Sequence, residues 1–364
     1  MKNIPYGKHH IDQSDIESVI KVLKSDFLTQ GPLVNIFEKK LSNFCKSKYA
    51  VAFNSATSAL HIASMALNLK KNDIVWTVPN TFVATVNCSL YLDCKIDLID
   101  IDFLTLNISI NQLEKKLAKA AKIKKLPKVI FTVHFGGNVT EQKKIHKLSR
   151  RYNFKIIEDA SHSLGAKNDG EKVGSSRWSD VTVFSFHPVK TMTTIEGGAA
   201  MTNSKIVYEK MKILRTHGIV KNKNKFFNKD QPAFYYEQQF LGYNYRFSDV
   251  SAALGLSQLK KVNSFVKKRN LIAKKYIHEL KSFPVEFQKI TEKSCSSYHL
   301  FILKLKNKRT RDGLFRYLKK NRIITNFHYI PIFLHPFHVK YHANQKRYQN
   351  SLRHYQCSLS LPIY

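Results

Sequence analysis

SDVTVFSFHPVKTMTTIEGGAAMTN, Ser179 to Asn203, is the stretch from which the fold can be worked out. Valine, threonine and phenylalanine dominate Val181–Phe186, a composition that suits a pleated, buried surface and predicts a strand. A short loop carrying Lys190 follows, and a second strand, Ala199–Thr202, is opened by Gly197 and Gly198. With no helix between them, the two strands are expected to run antiparallel. A lysine on a loop between two buried strands is a candidate for amine chemistry on a carbonyl. Lysine alone carries little weight in a chain with 60 lysines and arginines, so its neighbours elsewhere decide.

Upstream, strands are expected at Tyr49–Phe53, Ile74–Val78, Ile96–Ile101, Lys128–Val133 and Phe154–Glu158. Several are near-continuous apolar runs, as strands covered on both faces require. Helical patterns at Ala56–Leu69, Ile110–Lys122 and Glu141–Arg151 alternate with them. That alternation predicts an α/β fold with a mixed, mostly parallel seven-stranded sheet. After Ser248 the pattern changes to a long helical stretch with Phe265, Ile272, Tyr276 and Leu280 on one stripe. Ser297–Leu305, a helix at Arg309–Lys320 and a strand at Ile323–Phe327 follow. Residues 1–250 are therefore expected to form a large domain and residues 251–364 a smaller α+β domain.

Composition narrows the function classes. The chain has 364 residues, 43% of them hydrophobic, enough for a sizeable core, and its acidic residues number 26, giving a net charge of +34. Such charge suits an anionic partner, but it also suits a lysine-rich surface. The lysines are spread along the chain, which favours the surface reading. Lys115 to Lys128 interleaves with Leu113, Leu117, Ala120 and Ala121, so its lysines are expected on the solvated face of a helix. Lys221 to Lys229 has no period and is expected to be a mobile loop. No nucleic-acid-binding motif is present. No apolar run is long enough to span a membrane. MKNIPYGKHHIDQ has no signal-peptide core, and a cytoplasmic setting is expected. Cys45, Cys88, Cys94, Cys295 and Cys357 lack metal-type spacing, so no metal site is expected and reduced thiols are.

Three further stretches carry chemistry. FNSATSAL, Phe53–Leu60, turns from strand to helix through small hydroxyl residues, and a helix start is an anion site; the plain alternative is an ordinary cap by Ser55 or Thr57. IIEDASHSLGA, Ile156–Ala166, ends a strand in Glu158 and Asp159, where open α/β sheets bind ligands. Asp159 could serve as a metal ligand, a general base, a partner for a protonated ring nitrogen or a simple cap. His162 could donate to a ligand or to backbone. Asn80, Thr81 and Phe82 follow Ile74–Val78, and Phe82 is either a core side chain or a platform for a flat ring. An anion site, a strand-end carboxylate, an aromatic and a loop lysine together meet the needs of pyridoxal phosphate.

The order and wording of the motifs resemble the DegT/DnrJ/EryC1 family of nucleotide-sugar aminotransferases. The resemblance rests on TQGP (Thr29–Pro32), NSATSALH (Asn54–His61), PNTFVATVN (Pro79–Asn87), EDASHSLGA (Glu158–Ala166), FSFHPVKTMTTIEGG (Phe184–Gly198), RTHGI (Arg215–Ile219) and LGYNYRFSDVSAALGLSQL (Leu241–Leu259). IPYGKHHIDQSDIESVIKVLKSDFLTQGP and SDVTVFSFHPVKTMTT are most like the branch that aminates C4 of a UDP-linked 4-keto-6-deoxy-N-acetylhexosamine for pseudaminic acid.

The resemblance implies the fold type I architecture, pyridoxal 5'-phosphate as cofactor, L-glutamate as donor and a homodimer with a shared site. It matches Lys190 to the lysine that bonds the cofactor, Asp159 to the ring-nitrogen partner and His162 to the donor for the ring hydroxyl. Phe82 matches the stacking residue; Ser185 with the backbone of Ala56 and Thr57 matches the phosphate cradle. Asn244 matches a residue that reaches the phosphate from the neighbouring subunit. Tyr6, Asp26, Phe27, Leu28, Thr29, His187, His328, Tyr329, Ile330 and Pro331 match segments that line the sugar-nucleotide site. A dehydrating relative has histidine in place of the lysine, so Lys190 points to transamination. Alternatives are a dTDP or GDP 4-keto-6-deoxy sugar as acceptor, or an inactive, regulatory or nucleic-acid-binding homologue. The chain ends at LSLPIY, where relatives continue through a further helix, so the small domain is expected to be short at its end.

Overall fold

The computed structural model describes residues 3–339 and 347–364. Its central sheet has seven strands: β1 (Tyr49–Phe53), β2 (Ile74–Thr77), β3 (Lys95–Leu98), β4 (Val129–Val133), β5 (Lys155–Asp159), β6 (Val181–Ser185) and β7 (Gly198–Thr202). The spatial order is β1-β7-β6-β5-β4-β2-β3. β7 runs antiparallel to β1 and β6, with Ser185 opposite Gly198 and Phe53 also opposite Gly198. The remaining pairs are parallel. The antiparallel pair expected around Lys190 is thus present.

Alternate side chains of each strand go to opposite faces, and both faces are covered. On one face α2 (Pro32–Cys45) and α8 (Asp249–Leu259) bury Phe37, Leu41 and Ala252 against Phe184, Phe186 and Met201. Farther along that face α5 (Ile110–Lys122) and α6 (Gln142–Tyr152) bury Leu113, Leu117 and Ile145 against Ile130 and Ile156. On the other face α3 (Ala56–Ala66) and α7 (Lys205–Arg215) bury Ile62, Ala63 and Leu214 against Val181, Val183 and Ile157. Two-sided burial is the reason these strands read as unbroken apolar runs. α4 (Ala84–Leu90) connects β2 to β3.

α1 (Gln13–Leu23) precedes the sheet and packs on α8. Asp249 accepts from the backbone of Gly31 and Leu33 at 2.8 and 2.9 Å, fixing the start of α2 to the start of α8. A buried ion pair, Arg215 Nη1 to Glu38 Oε1 at 2.6 Å, ties α7 to α2.

Beyond α8 come α9 (Val262–Leu280) and α10 (Lys308–Lys320), with a three-stranded antiparallel sheet of Glu286–Phe287, Phe301–Lys304 and Ser358–Leu361. Phe301, Leu303, Leu359 and Leu361 are buried there with Ala273. Two expectations are corrected. The stretch after Ser248 is two helices, interrupted at Lys260 and Lys261, and not one. Ile323–Phe327 is no strand: it makes only isolated bridges, Ile323 to Ile4 and Asn326 to Ser360, because residues 322–328 serve two different neighbours. At the end of the segment Lys221–Lys229, Glu237 accepts from the backbone of Phe227 and Asn228 at 2.9 and 2.8 Å. Leu113 and Leu117 on α5 are buried as expected, while Lys116 turns inward onto Leu98 O at 2.6 Å. The final residues are built in: Ile363 is buried, and its carbonyl accepts from Arg269 at 2.7 Å. All five cysteines are free thiols. No helix among the described residues is long and apolar enough to cross a membrane, and none of their His, Cys, Asp and Glu side chains form a metal-binding group.

Candidate active site

The carboxyl ends of β1, β4 and β5 and the loop between β6 and β7 open into a cavity of about 440 Å³. At one end lies the start of α3. Ser55 caps it, its Oγ accepting from Ser58 N at 3.1 Å, and Ser55 O accepts from Ala59 N. The N–H groups of Ala56 and Thr57 have no partner among the described residues. Two unpaired donors at the positive end of a helix make a seat for a phosphate. Gly198 keeps that seat open: a Cβ there would lie 2.5 Å from Ala56 N, so only glycine allows β7 to pass so close. Ser185 lines the same end, accepting from His187 N at 3.5 Å and keeping its own hydrogen for a ligand.

Deeper in the cavity stands Asp159, only 6% exposed, at the end of β5. Its Oδ1 accepts from the Ser161 hydroxyl at 2.6 Å and the Ser161 N–H at 3.1 Å, and its Oδ2 from Thr85 Oγ1 at 2.6 Å. Three donors satisfy the buried carboxylate. Among the described residues no group of His, Cys, Asp and Glu that could hold a metal forms around it, and it caps no helix. Glu158, beside it, faces the opposite side of the sheet and pairs with His134 at 2.7 Å.

Lys190 is half-buried in the loop after β6, whose turn is closed by Lys190 N donating to His187 O at 2.8 Å. Its amine makes no hydrogen bond or ion pair among the described residues. Burial pushes the amine down to about 8, against the opposing pull of the Asp159 carboxylate. A lysine poised near neutrality is a competent nucleophile.

Phe82 is 57% exposed, which rules out the core reading; it stands at the cavity with its ring 6.0 Å from that of Tyr329. His162 accepts from Gly136 N at Nδ1, 3.3 Å, so its proton sits on Nε2, 3.0 Å from the Tyr329 hydroxyl. Burial, with Lys190 and His328 nearby, holds His162 well below the usual histidine range, hence neutral. His162 lines the cavity itself, and its bond to Tyr329 leaves the tyrosine hydroxyl hydrogen for a ligand. Tyr6, His187, His328 and Tyr329 line the cavity with Ala56 and Thr57. Asp26, Phe27, Leu28, Thr29, Asn244, Ile330 and Pro331 do not; Phe27 and Leu28 are 54% and 48% exposed.

Sequence reading missed Thr85, Ser161 and His299. Thr85 carried a signal, since Thr81 and Thr85 are one helical turn apart and bond each other at 2.7 Å. His299 carried none: it lies far along the chain, beyond α9, and packs with its ring 4.3 Å from that of His162.

The donor set fits pyridoxal 5'-phosphate. Unpaired N–H groups and Ser185 suit its phosphate, a buried carboxylate suits its pyridinium, an exposed ring suits its face, and a free amine suits its aldehyde.

Comparison with known proteins agrees. A model of the DegT/DnrJ/EryC1/StrS aminotransferase family matches residues 9–364. The chain is 39% identical over 366 residues to a UDP-4-amino-4,6-dideoxy-N-acetyl-beta-L-altrosamine transaminase of Campylobacter jejuni, covering 99% of this chain and 92% of the relative. It is 37% identical to the uncharacterized protein MJ1066 of Methanocaldococcus jannaschii, with the same coverages. Helicobacter pylori PseC, an aminotransferase involved in the biosynthesis of pseudoaminic acid, superposes with a TM-score of 0.90 at 31% identity, over 100% of this chain and 94% of that one. The PLP form of a putative sugar aminotransferase, Spr1654 from Streptococcus pneumoniae, superposes with a TM-score of 0.88 at 25% identity, over the same shares. The chain belongs to the DegT/DnrJ/EryC1/StrS aminotransferase family and is a pyridoxal phosphate-dependent sugar aminotransferase.

Proposed function

We propose that the chain transfers an amino group from L-glutamate to C4 of a UDP-linked 4-keto-6-deoxy-N-acetylhexosamine, giving the UDP-4-amino-4,6-dideoxy-N-acetyl-beta-L-altrosamine of pseudaminic acid synthesis. The relatives named for that altrosamine and PseC support the choice of sugar. The observation that carries the chemistry is the unpaired Lys190 amine, held near neutrality in the same cavity as the triply bonded Asp159 carboxylate.

Bound pyridoxal phosphate supplies an electron-poor ring that carries the amino group between donor and acceptor. In this reading Ala56 N–H, Thr57 N–H and Ser185 hold the phosphate. Asp159 keeps the proton on the pyridine nitrogen, and Thr85 and Ser161 hold Asp159 in place. Phe82 covers the ring face and keeps water from it. The Lys190 amine takes a proton from Cα of glutamate and delivers one to C4 of the sugar. Tyr329, oriented by the neutral His162, donates into the cavity.

The working unit in this proposal is a homodimer in the cytoplasm. Asn244 and Asp26–Thr29, which lie outside their own cavity, then complete the partner's site. Incubating the purified enzyme with glutamate and a panel of UDP-, dTDP- and GDP-4-keto sugars tests the substrate. Turnover confined to the UDP-N-acetyl sugar is expected; preference for a dTDP or GDP sugar would overturn the assignment.

A further inference from the structure

The N-terminal arm runs from Ile4 to Asp12 and touches residues 322–324, Ile363 and the Lys190 loop. Ile4 N donates to Arg322 O at 2.9 Å and Ile4 O accepts from Ile324 N at 2.8 Å. Tyr6 O accepts from Ile363 N at 3.3 Å, and the Tyr6 ring sits 5.5 Å from His328 at the cavity. A Cβ on Gly7 would lie 3.6 Å from Val189 Cβ, so the arm rests directly on the Lys190 loop.

One buried side chain fastens its far end. Gln258 on α8 is 1% exposed. Its Nε2 donates to His10 O at 2.8 Å and to Asp15 Oδ2 at 2.7 Å; its Oε1 accepts from Thr193 N at 3.4 Å. Asp15 is fully buried and pairs with Lys261 at 2.8 Å, which also reaches Asp12 at 2.6 Å. A buried amide with three partners in three segments is costly to leave unpaired, which makes it a stiff joint.

We infer that Gln258 is a positioning residue: it seats the N-terminal arm so that Tyr6 forms a wall of the keto-sugar half of the site. The inference rests on the proposed place of Tyr6 in the substrate site. The Lys190 loop depends little on Gln258, because the Thr193 contact is long and the loop has its own bonds. Thr193 Oγ1 donates to Phe186 O at 3.1 Å, and Thr194 N donates to Phe186 O at 3.0 Å. Loosening the arm should therefore separate the two half-reactions, which share Lys190 but not the sugar wall.

The test is Gln258→Leu, with each half-reaction of the holoenzyme followed by single-turnover absorbance and with hydrogen exchange of the arm measured. Loss of the hydrogen bonds to His10 and Asp15 predicts about a tenfold weaker apparent affinity for the keto sugar. The glutamate half-reaction should stay within about twofold, an effect smaller than one such hydrogen bond, and exchange at the arm amides should rise. Asp15→Ala, which leaves the Thr193 contact intact, should give the same split if Gln258→Leu does not fold. Equal loss in both half-reactions, or faster arm exchange with unchanged keto-sugar affinity, overturns the inference. Failure of the unmodified enzyme to aminate any UDP-4-keto sugar would instead overturn the substrate assignment, and is seen before either variant is made.

Discussion

Thr85 Oγ1 donates to Asp159 Oδ2 at 2.6 Å, joining the first turn of α4 to the end of β5 across 74 residues of chain. Thr81 bonds Thr85 in turn, so a short hydroxyl relay fixes the carboxylate from the side opposite Ser161. A hydrogen bond to a charged group contributes about 1.5–3 kcal/mol. Thr85→Val is therefore expected to lower cofactor affinity or kcat by about tenfold or more, since 1.4 kcal/mol is a factor of ten. Thr85→Ser should restore most of it. Cofactor titration and steady-state rates of the two variants check this.

Gly198→Ala is expected to close the phosphate seat. Its Cβ would meet Ala56 N at 2.5 Å, with backbone on both sides that cannot swing away. Strand or helix must shift, and either movement disturbs the N–H groups of Ala56 and Thr57. Weak cofactor binding in a protein with an unchanged far-ultraviolet circular dichroism spectrum is the expected result, measured by dialysis against graded pyridoxal phosphate.

Without cofactor, amine-directed labelling of Lys190 should rise with pH with a midpoint near 8, because burial favours the neutral amine. Asp159 opposes that effect, so Asp159→Asn should move the midpoint lower still. The same shift has a stability consequence. The folded-state value lies below the ordinary lysine value of 10.5, so the unfolded chain binds more protons between pH 8 and 10.5. The lysine's contribution to apo-protein stability thus improves as pH rises through that window. Peptide mapping of labelled lysines across pH measures the midpoint.

Arg215→Ala is expected to destabilise the fold by about 3–5 kcal/mol, the cost of leaving one member of a buried ion pair alone. Arg215 also donates to Ala52 O at 2.6 Å, and Glu38 Oε1 accepts from Ala52 N at 2.9 Å, so β1 loses support as well. Denaturant unfolding of the variant, with the site residues untouched, gives the value.

Much of this fold was legible because each parallel strand is short, apolar and followed by a helix. β1, Tyr49–Phe53, and α5, Ile110–Lys122, came out at their expected bounds. Ile323–Phe327 misled because its β-branched residues pack at a seam between segments, where single bridges replace a ladder. α8 and α9 read as one helix because nothing but two ordinary lysines divides them. Within the cavity, Lys190, Asp159, Phe82 and Ser185 belong to motifs contiguous in sequence. Thr85, His299 and Gln258 act through partners far along the chain, and such pairings leave no local pattern to read.

Lys190 is the centre of the account, and the visible spectrum of Lys190→Ala beside that of the parent tests it most directly. The parent should bind pyridoxal phosphate with a visible band that bleaches on adding glutamate, and the variant should lack both the band and transaminase turnover. A variant that kept the band, its response to glutamate and its turnover would contradict the assignment of that amine.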